Sequence, residues 1–299
     1  MIMRIRYISV LLCAAMCVSC IFLPGQENAV SNNDTSPGDG VFTGTPPQTK
    51  HGKTLVWNDE FTVPGTADSS KWKYQVGNGT WGWGNGEFQY YTDNTSVADT
   101  ARVANGMLII KAYHDGIQWK SARLNSKQSW TYGYIEARLK ITDRKGAWPA
   151  FWMMPQESAY GTWPKSGEID IMENAPSHPA LGPHRVFSTL HAEGHSGGNG
   201  KGIGNKTYPN SLFNEWHTFG VKWEANKITA YYDDMEMGSY ANDGTWQNYP
   251  YDKNFYIILN LGIGGTLGGG PYTGGPNADV ESLKGSDVLF LVDWVRVYQ

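Results

Sequence analysis

The 299-residue chain is 17% charged and 13% aromatic, with a formal net charge of −4 and no basic run. That balance leaves no electrostatic footprint for nucleic acid and makes an acidic polymer a poor substrate. Thirteen Trp and 17 Tyr with few cations instead suit a neutral polymer, because flat rings stack on the apolar faces of sugars while polar groups bond their hydroxyls.

The chain opens on an export segment. Arg4 and Arg6 give a positive start, Ile8 to Val18 an apolar stretch, and Ser19 a small residue before Cys20. Together they predict a signal peptide over residues 1–19, too short to span a bilayer as a helix. The run Cys17-Val18-Ser19-Cys20 is similar to a bacterial lipobox, in which the last Cys is acylated and becomes the mature N-terminus. Position 17 departs from the usual Leu, so plain secretion is the alternative. The expected location is the bacterial envelope, periplasmic or at the cell surface, with the Cys20 lipid as the only membrane attachment. The three Cys are 13, 17 and 20, so the folded domain has no disulfide and rests on its hydrophobic core.

Residues 20–52 read as a flexible tether, on the strength of the polar run Ser31-Asn32-Asn33-Asp34-Thr35-Ser36-Pro37-Gly38. Residues 53–299 read as one domain, expected to act as a monomer. Within it the stretches Met107 to Ala112, Tyr134 to Ile141, Trp148 to Met154, Glu168 to Glu173, Thr218 to Trp223, Lys227 to Tyr232, Phe255 to Leu261 and Leu289 to Tyr298 are β-rich and separated by Gly, Asn, Asp and Pro signals. No long 3.6-residue stripe competes with them and no fixed-period repeat appears. An all-β antiparallel sandwich or barrel follows.

The segment Gly167-Glu168-Ile169-Asp170-Ile171-Met172-Glu173 puts three carboxylates within six positions of an otherwise apolar run. In a strand, Glu168 and Asp170 share one face while Ile169 and Ile171 point into a core. Strict alternation would then drive Glu173 into the core, where an unpaired carboxylate is strongly disfavoured. A one-residue bulge around Met172 returns it to the face of the other two. Glu168 and Glu173 are then about four strand steps apart, roughly 13 Å between Cα atoms. Their side chains can lean toward the ~5 to 5.5 Å carboxyl separation of a retaining glycosidase, with Asp170 between them hindering ionisation of its neighbours.

These residues are accompanied by others with which the chain resembles glycoside hydrolase family 16, and within it the bacterial laminarinase-like endo-β-1,3-glucanases. The resemblance runs from Trp57-Asn58-Asp59-Glu60-Phe61 to Val295-Arg296-Val297-Tyr298-Gln299. It includes Gly82-Trp83-Gly84-Asn85, Gln89-Tyr90-Tyr91-Thr92, Ser121-Ala122-Arg123-Leu124, Trp148-Pro149-Ala150-Phe151-Trp152 and the acidic motif. It implies a curved, concanavalin A-like jelly-roll sandwich with a cleft on its concave face. It further implies retaining hydrolysis with Glu168 as nucleophile, Asp170 as its helper and Glu173 as acid/base, and no cofactor for catalysis. Trp148 and Trp152, four apart in a strand and hence on one face, and Trp163, in the loop before the motif, make a sugar platform. Asn85, Arg123 and His191 match polar cleft positions. Glu60, the Gly106 carbonyl and Asp293 match a structural calcium site, a mixture of oxygens suited to Ca²⁺.

The expected activity is endo-hydrolysis of β-1,3-glucan such as laminarin. Mixed-linkage β-1,3-1,4-glucan would use the same carboxylates, and a non-catalytic carbohydrate-binding protein could share the sandwich without needing all three. A competing chemistry lies in His191-Ala192-Glu193-Gly194-His195, whose alternate residues would offer three ligands to zinc on a regular strand. The glycines around 194–198 argue that the strand breaks there.

Overall fold

The computed structural model describes residues 40–93, 99–269 and 277–299. The signal segment, the Cys20 anchor and tether residues 20–39 lie outside the described residues.

Apolar, β-rich runs build the strands, and each of the eight stretches forms one. Examples are Met107–His114, Gly133–Lys140, Ala147–Pro155, Glu168–Asn174 and Val288–Tyr298. Among the described residues they join shorter strands in two sheets, of eleven and seven strands. The larger sheet is centred on Val288–Tyr298, which pairs antiparallel with Gly133–Lys140 on one side and Met107–His114 on the other. The smaller runs in the order Lys201–Thr207, Arg185–His191, Glu168–Asn174, Ala147–Pro155, Phe255–Ile263, Arg123–Trp130 and Trp72–Tyr74, every neighbour antiparallel.

The chain passes repeatedly from one sheet to the other, as from Gly133–Lys140 to Ala147–Pro155, so both inner faces feed one core. Ile135, Ala137, Leu139, Val295 and Val297 face Phe151, Met153, Ile257, Leu259 and Leu261 in a single buried cluster. Large aromatics, including Trp72, Trp223 and Phe255, fill the span between the layers. The result is the expected all-β jelly-roll sandwich, stabilised by apolar burial without any cross-link.

One boundary differs from expectation. Residues 40–52, assigned by composition to the tether, are folded against the larger sheet. Thr49–Lys50 pairs with Lys53–Asp59, and Lys50 Nζ lies 2.6 Å from Glu136 and 2.7 Å from Asp234. Phe42 lays its ring over the Arg296 guanidinium and donates its backbone N–H to Asp293. Single specific contacts of this kind leave no compositional trace, which is why a low-hydrophobicity segment reads as unstructured.

Candidate active site

The acidic strand lies inside the seven-stranded sheet, between Ala147–Pro155 and Arg185–His191. Its register contains the anticipated extra residue. Asp170 pairs with Thr189 and Glu173 with Phe187, so three steps on the acidic strand match two on its neighbour. On the other side Asp170 opposes Trp152 while Met172 opposes Phe151, which puts the surplus residue at Ile171, one before the expected position. Ile171 and Met172 are both fully buried. Glu168, Asp170 and Glu173 thereby share the outer face of the sheet while the apolar residues stay in the core.

The three carboxylates are crowded and desolvated. Burial first, and the Asp170 carboxylate second, push Glu168 up to about 8. Burial pushes Glu173 up to about 7 against the opposing hydrogen bond from Trp148. Asp170, 3% exposed, is also pushed well above the usual carboxylate range, by burial and then by Glu173. Glu168 and Asp170 therefore hold a proton between them through neutral pH, since two neighbouring buried carboxylates resist ionising together. Glu168 accepts from the Trp163 indole N–H, as an ionised carboxylate does.

All three expected tryptophans reach this face, and each indole donates to a polar group on it. Trp148 Nε1 is 2.9 Å from Glu173 Oε1, Trp152 Nε1 is 2.7 Å from Asn260 Oδ1, and Trp163 bonds Glu168. Trp163, 52% exposed, stands in a loop fixed to the far side of the face by the Lys165–Glu193 ion pair at 3.3 Å. Changing Trp148 or Trp152 to Ala is expected to weaken sugar binding about tenfold, the upper part of the range for aromatic stacking, with the fold intact. A core Trp would instead cost about 3 to 5 kcal/mol of stability, so a melting curve beside a binding isotherm separates the two.

The expected polar residues also converge. His191 Nε2 stands 3.1 Å from Asp170 Oδ2. Arg123 lies between Trp83 and Trp152, its guanidinium 4.6 and 4.7 Å from their ring centres, and Nε donates to Gln75. Asn85 sits in a Gly-rich loop over residues 81–87, where Trp81, Gly82, Trp83, Gly84 and Gly86 all have positive φ. A Cβ at Gly82 would lie 2.4 Å from Glu87 N, so the tight return of this loop demands glycine there. Nearby, Tyr91 is buried, Tyr90 lies under Lys120, and Trp83 packs against Arg123 on the site.

Sequence reasoning missed Glu87 and Asn260. Glu87 accepts from Asn85, Gln89 and Tyr91, and Asn260 joins Tyr91 to Trp152. The period-two series Glu87, Gln89, Tyr91 was the available signal, three polar-tipped residues on one face of a strand.

Metal sites fare differently. The arrangement His191, Glu193, His195 is not assembled: both ring nitrogens of His195 face backbone carbonyls, of Leu190 and Asn248, and Glu193 pairs with Lys165. Glu168, Asp170 and His191 could by distance hold an ion, their ligand atoms lying within 4.8 Å of one another. We assign no ion there. At the calcium position, Arg296 takes both oxygens of Glu60, and Asp293 binds Arg138 and the Phe42 N–H. The side chains at Glu60 and Asp293 are thus each engaged by an arginine.

Comparison with known proteins adds to this geometry. A family model described as "Beta-porphyranase A-D, GH16 domain" matches residues 54–299. The beta-glucanase of Rhodothermus marinus is 36% identical over 258 residues, covering 82% of this chain and 85% of that protein. The glucan endo-1,3-beta-glucosidase of Cryptopygus antarcticus is 36% identical over 260 residues, covering 80% of this chain and 91% of its own length. Among solved structures, the laminarinase from Rhodothermus marinus aligns with a TM-score of 0.70 at 36% identity, over 82% of this chain and 96% of that one.

Proposed function

Because the chain belongs to glycoside hydrolase family 16, we propose that its three-carboxylate face is the active site of a retaining endo-β-1,3-glucanase. The observation that carries this reading is the bulge at Ile171, which turns Glu173 to the face of Glu168 and Asp170. In the proposed reaction Glu168 attacks the anomeric carbon while Glu173 protonates the departing glycosidic oxygen, giving a covalent glycosyl-enzyme. Glu173, now ionised, then takes a proton from water, which displaces Glu168 and leaves the product with its original configuration. Asp170 holds its proton toward Glu168 and steadies it. No cofactor enters either step.

Since Glu173 must begin protonated, activity should fall as pH rises through about 7. In Asp170→Asn no second carboxyl competes with Glu168 for the proton they share, so Glu168 ionises at lower pH. Weak activity with the acid limb of the kcat/KM profile moved downward is the expected result. An unmoved limb would show that Asp170 has no electrostatic hold on Glu168.

The substrate reading is supported by relatives named for β-1,3-glucan hydrolysis, by the aromatic face and by the low charge. Digestion of laminarin, mixed-linkage β-1,3-1,4-glucan and porphyran tests it. Laminarin should be cut internally to short β-1,3-linked oligosaccharides. Cleavage of porphyran or of mixed-linkage glucan with laminarin untouched would overturn the linkage assignment.

Export and anchoring at Cys20 complete the proposal, supported by the basic start, apolar stretch and lipobox-like run. Labelled fatty acid should enter the wild type and not Cys20→Ala. No label in the wild type would leave plain secretion.

A further inference from the structure

The hydrogen bonds around Trp152 have a direction that chemistry fixes from one end. An indole N–H only donates, so Asn260 must present its carbonyl oxygen to Trp152 Nε1 at 2.7 Å. Asn260 then has its amide nitrogen toward the Tyr91 hydroxyl, 2.9 Å away, and donates to it. The Tyr91 proton is left to donate onward, and its partner is Glu87 Oε2 at 3.3 Å. Gln89 Nε2 donates to the same oxygen at 2.6 Å, and Asn85 Nδ2 to the other at 3.3 Å. Among the described residues Glu87 thus meets three hydrogen-bond donors. Burial raises its pKa on balance, and these donors with the nearby Arg123 oppose that rise. The all-accepting arrangement is that of a carboxylate, because a protonated oxygen would face a donor.

We propose that Glu87 is a positioning residue whose ionised carboxylate ends a one-way hydrogen-bond chain, Trp152 to Asn260 to Tyr91 to Glu87, that orients the Trp152 ring in the sugar site. The inference deepens, and rests on, the reading of this face as a glycan-binding active site. Glu87 makes its contribution through other side chains. Gln89 and Tyr91 are fully buried, so a donor left unpaired there is costly and a defect at the carboxylate is passed along the chain to the indole. The same carboxylate ties down Asn85 in the Gly-rich loop carrying Trp83, which like Trp152 packs against the Arg123 guanidinium. Arg123 and both of its aromatic neighbours are therefore held from one anion.

The chain can be observed without any sugar. In ¹⁵N-tryptophan-labelled protein, the Trp152 indole N–H signal, assigned by its loss in Trp152→Phe, should move in both Glu87→Met and Tyr91→Phe. It should move less in Glu87→Gln, whose amide oxygen can still accept from Tyr91 and Gln89. Affinity of a laminarin oligosaccharide, measured in an inactive Glu168→Ser background, should drop about tenfold in Glu87→Met and in Tyr91→Phe. The double variant should lose little more than either single change, because both cut one chain. Kinetically, KM should rise with kcat nearly kept. A Trp152 signal that stays put in well-folded Tyr91→Phe and Glu87→Met, or fully additive losses of affinity, would overturn the inference. A signal that moves as expected, in a parent that binds no laminarin oligosaccharide, would instead uphold the chain and count against the β-1,3-glucan assignment.

Discussion

Glu168→Ser should reduce hydrolysis of polymer by several orders of magnitude and give the protein a different activity. The substitution deletes the proposed nucleophile, leaves Glu173 with Trp148 at its side, and opens space below the anomeric carbon. An α-glycosyl fluoride can occupy that space, with fluoride where the carboxylate stood. An acceptor sugar, deprotonated by Glu173, then displaces fluoride to form a β-linked product that the variant cannot cut. Synthesis from the fluoride, with hydrolysis lost, is the expected pair of results. Wild-type hydrolysis rates in Glu168→Ser would remove Glu168 from the chemistry altogether.

Glu173→Ala should behave in the opposite way toward leaving groups. Loss of a general acid costs on the order of 10² to 10⁴ in rate when the leaving oxygen needs protonation. An aryl glycoside with an acidic phenol needs little, so formation of the glycosyl-enzyme survives while its hydrolysis slows. Added azide, which requires no general base, should then attack the intermediate and release a β-glycosyl azide. KM for the aryl glycoside should fall together with kcat, because the glycosyl-enzyme accumulates when its breakdown becomes limiting. Failure of azide to speed turnover of the aryl glycoside, in protein that still binds sugar, would assign the acid/base role elsewhere.

Legibility followed physical cause. Strands with one buried and one polar face, such as Lys227–Tyr232, announced themselves by alternation. Arg123–Trp130 and Lys201–Thr207 did not, because their inner residues are few or small and their compositions, RLNSKQSW and KGIGNKT, are those of loops. Their strand state comes from neighbours, through pairing with Phe255–Ile263 and Arg185–His191. The acidic motif was readable because a carboxylate on the wrong parity is costly enough to force a bulge. Its placement at Ile171 was not, since it depends on register against Ala147–Pro155. Glu87 was missed for a related reason. Its meaning lies in Asn260, far along the chain, and in an indole that only donates.

The mechanism as a whole is tested most directly by the stereochemistry of the first product. Proton NMR of early hydrolysis, followed before mutarotation, should show the β-anomer of the new reducing end appearing first, as two successive displacements through Glu168 require. The α-anomer appearing first would mean a single displacement by water, and Glu168 could then not be the nucleophile.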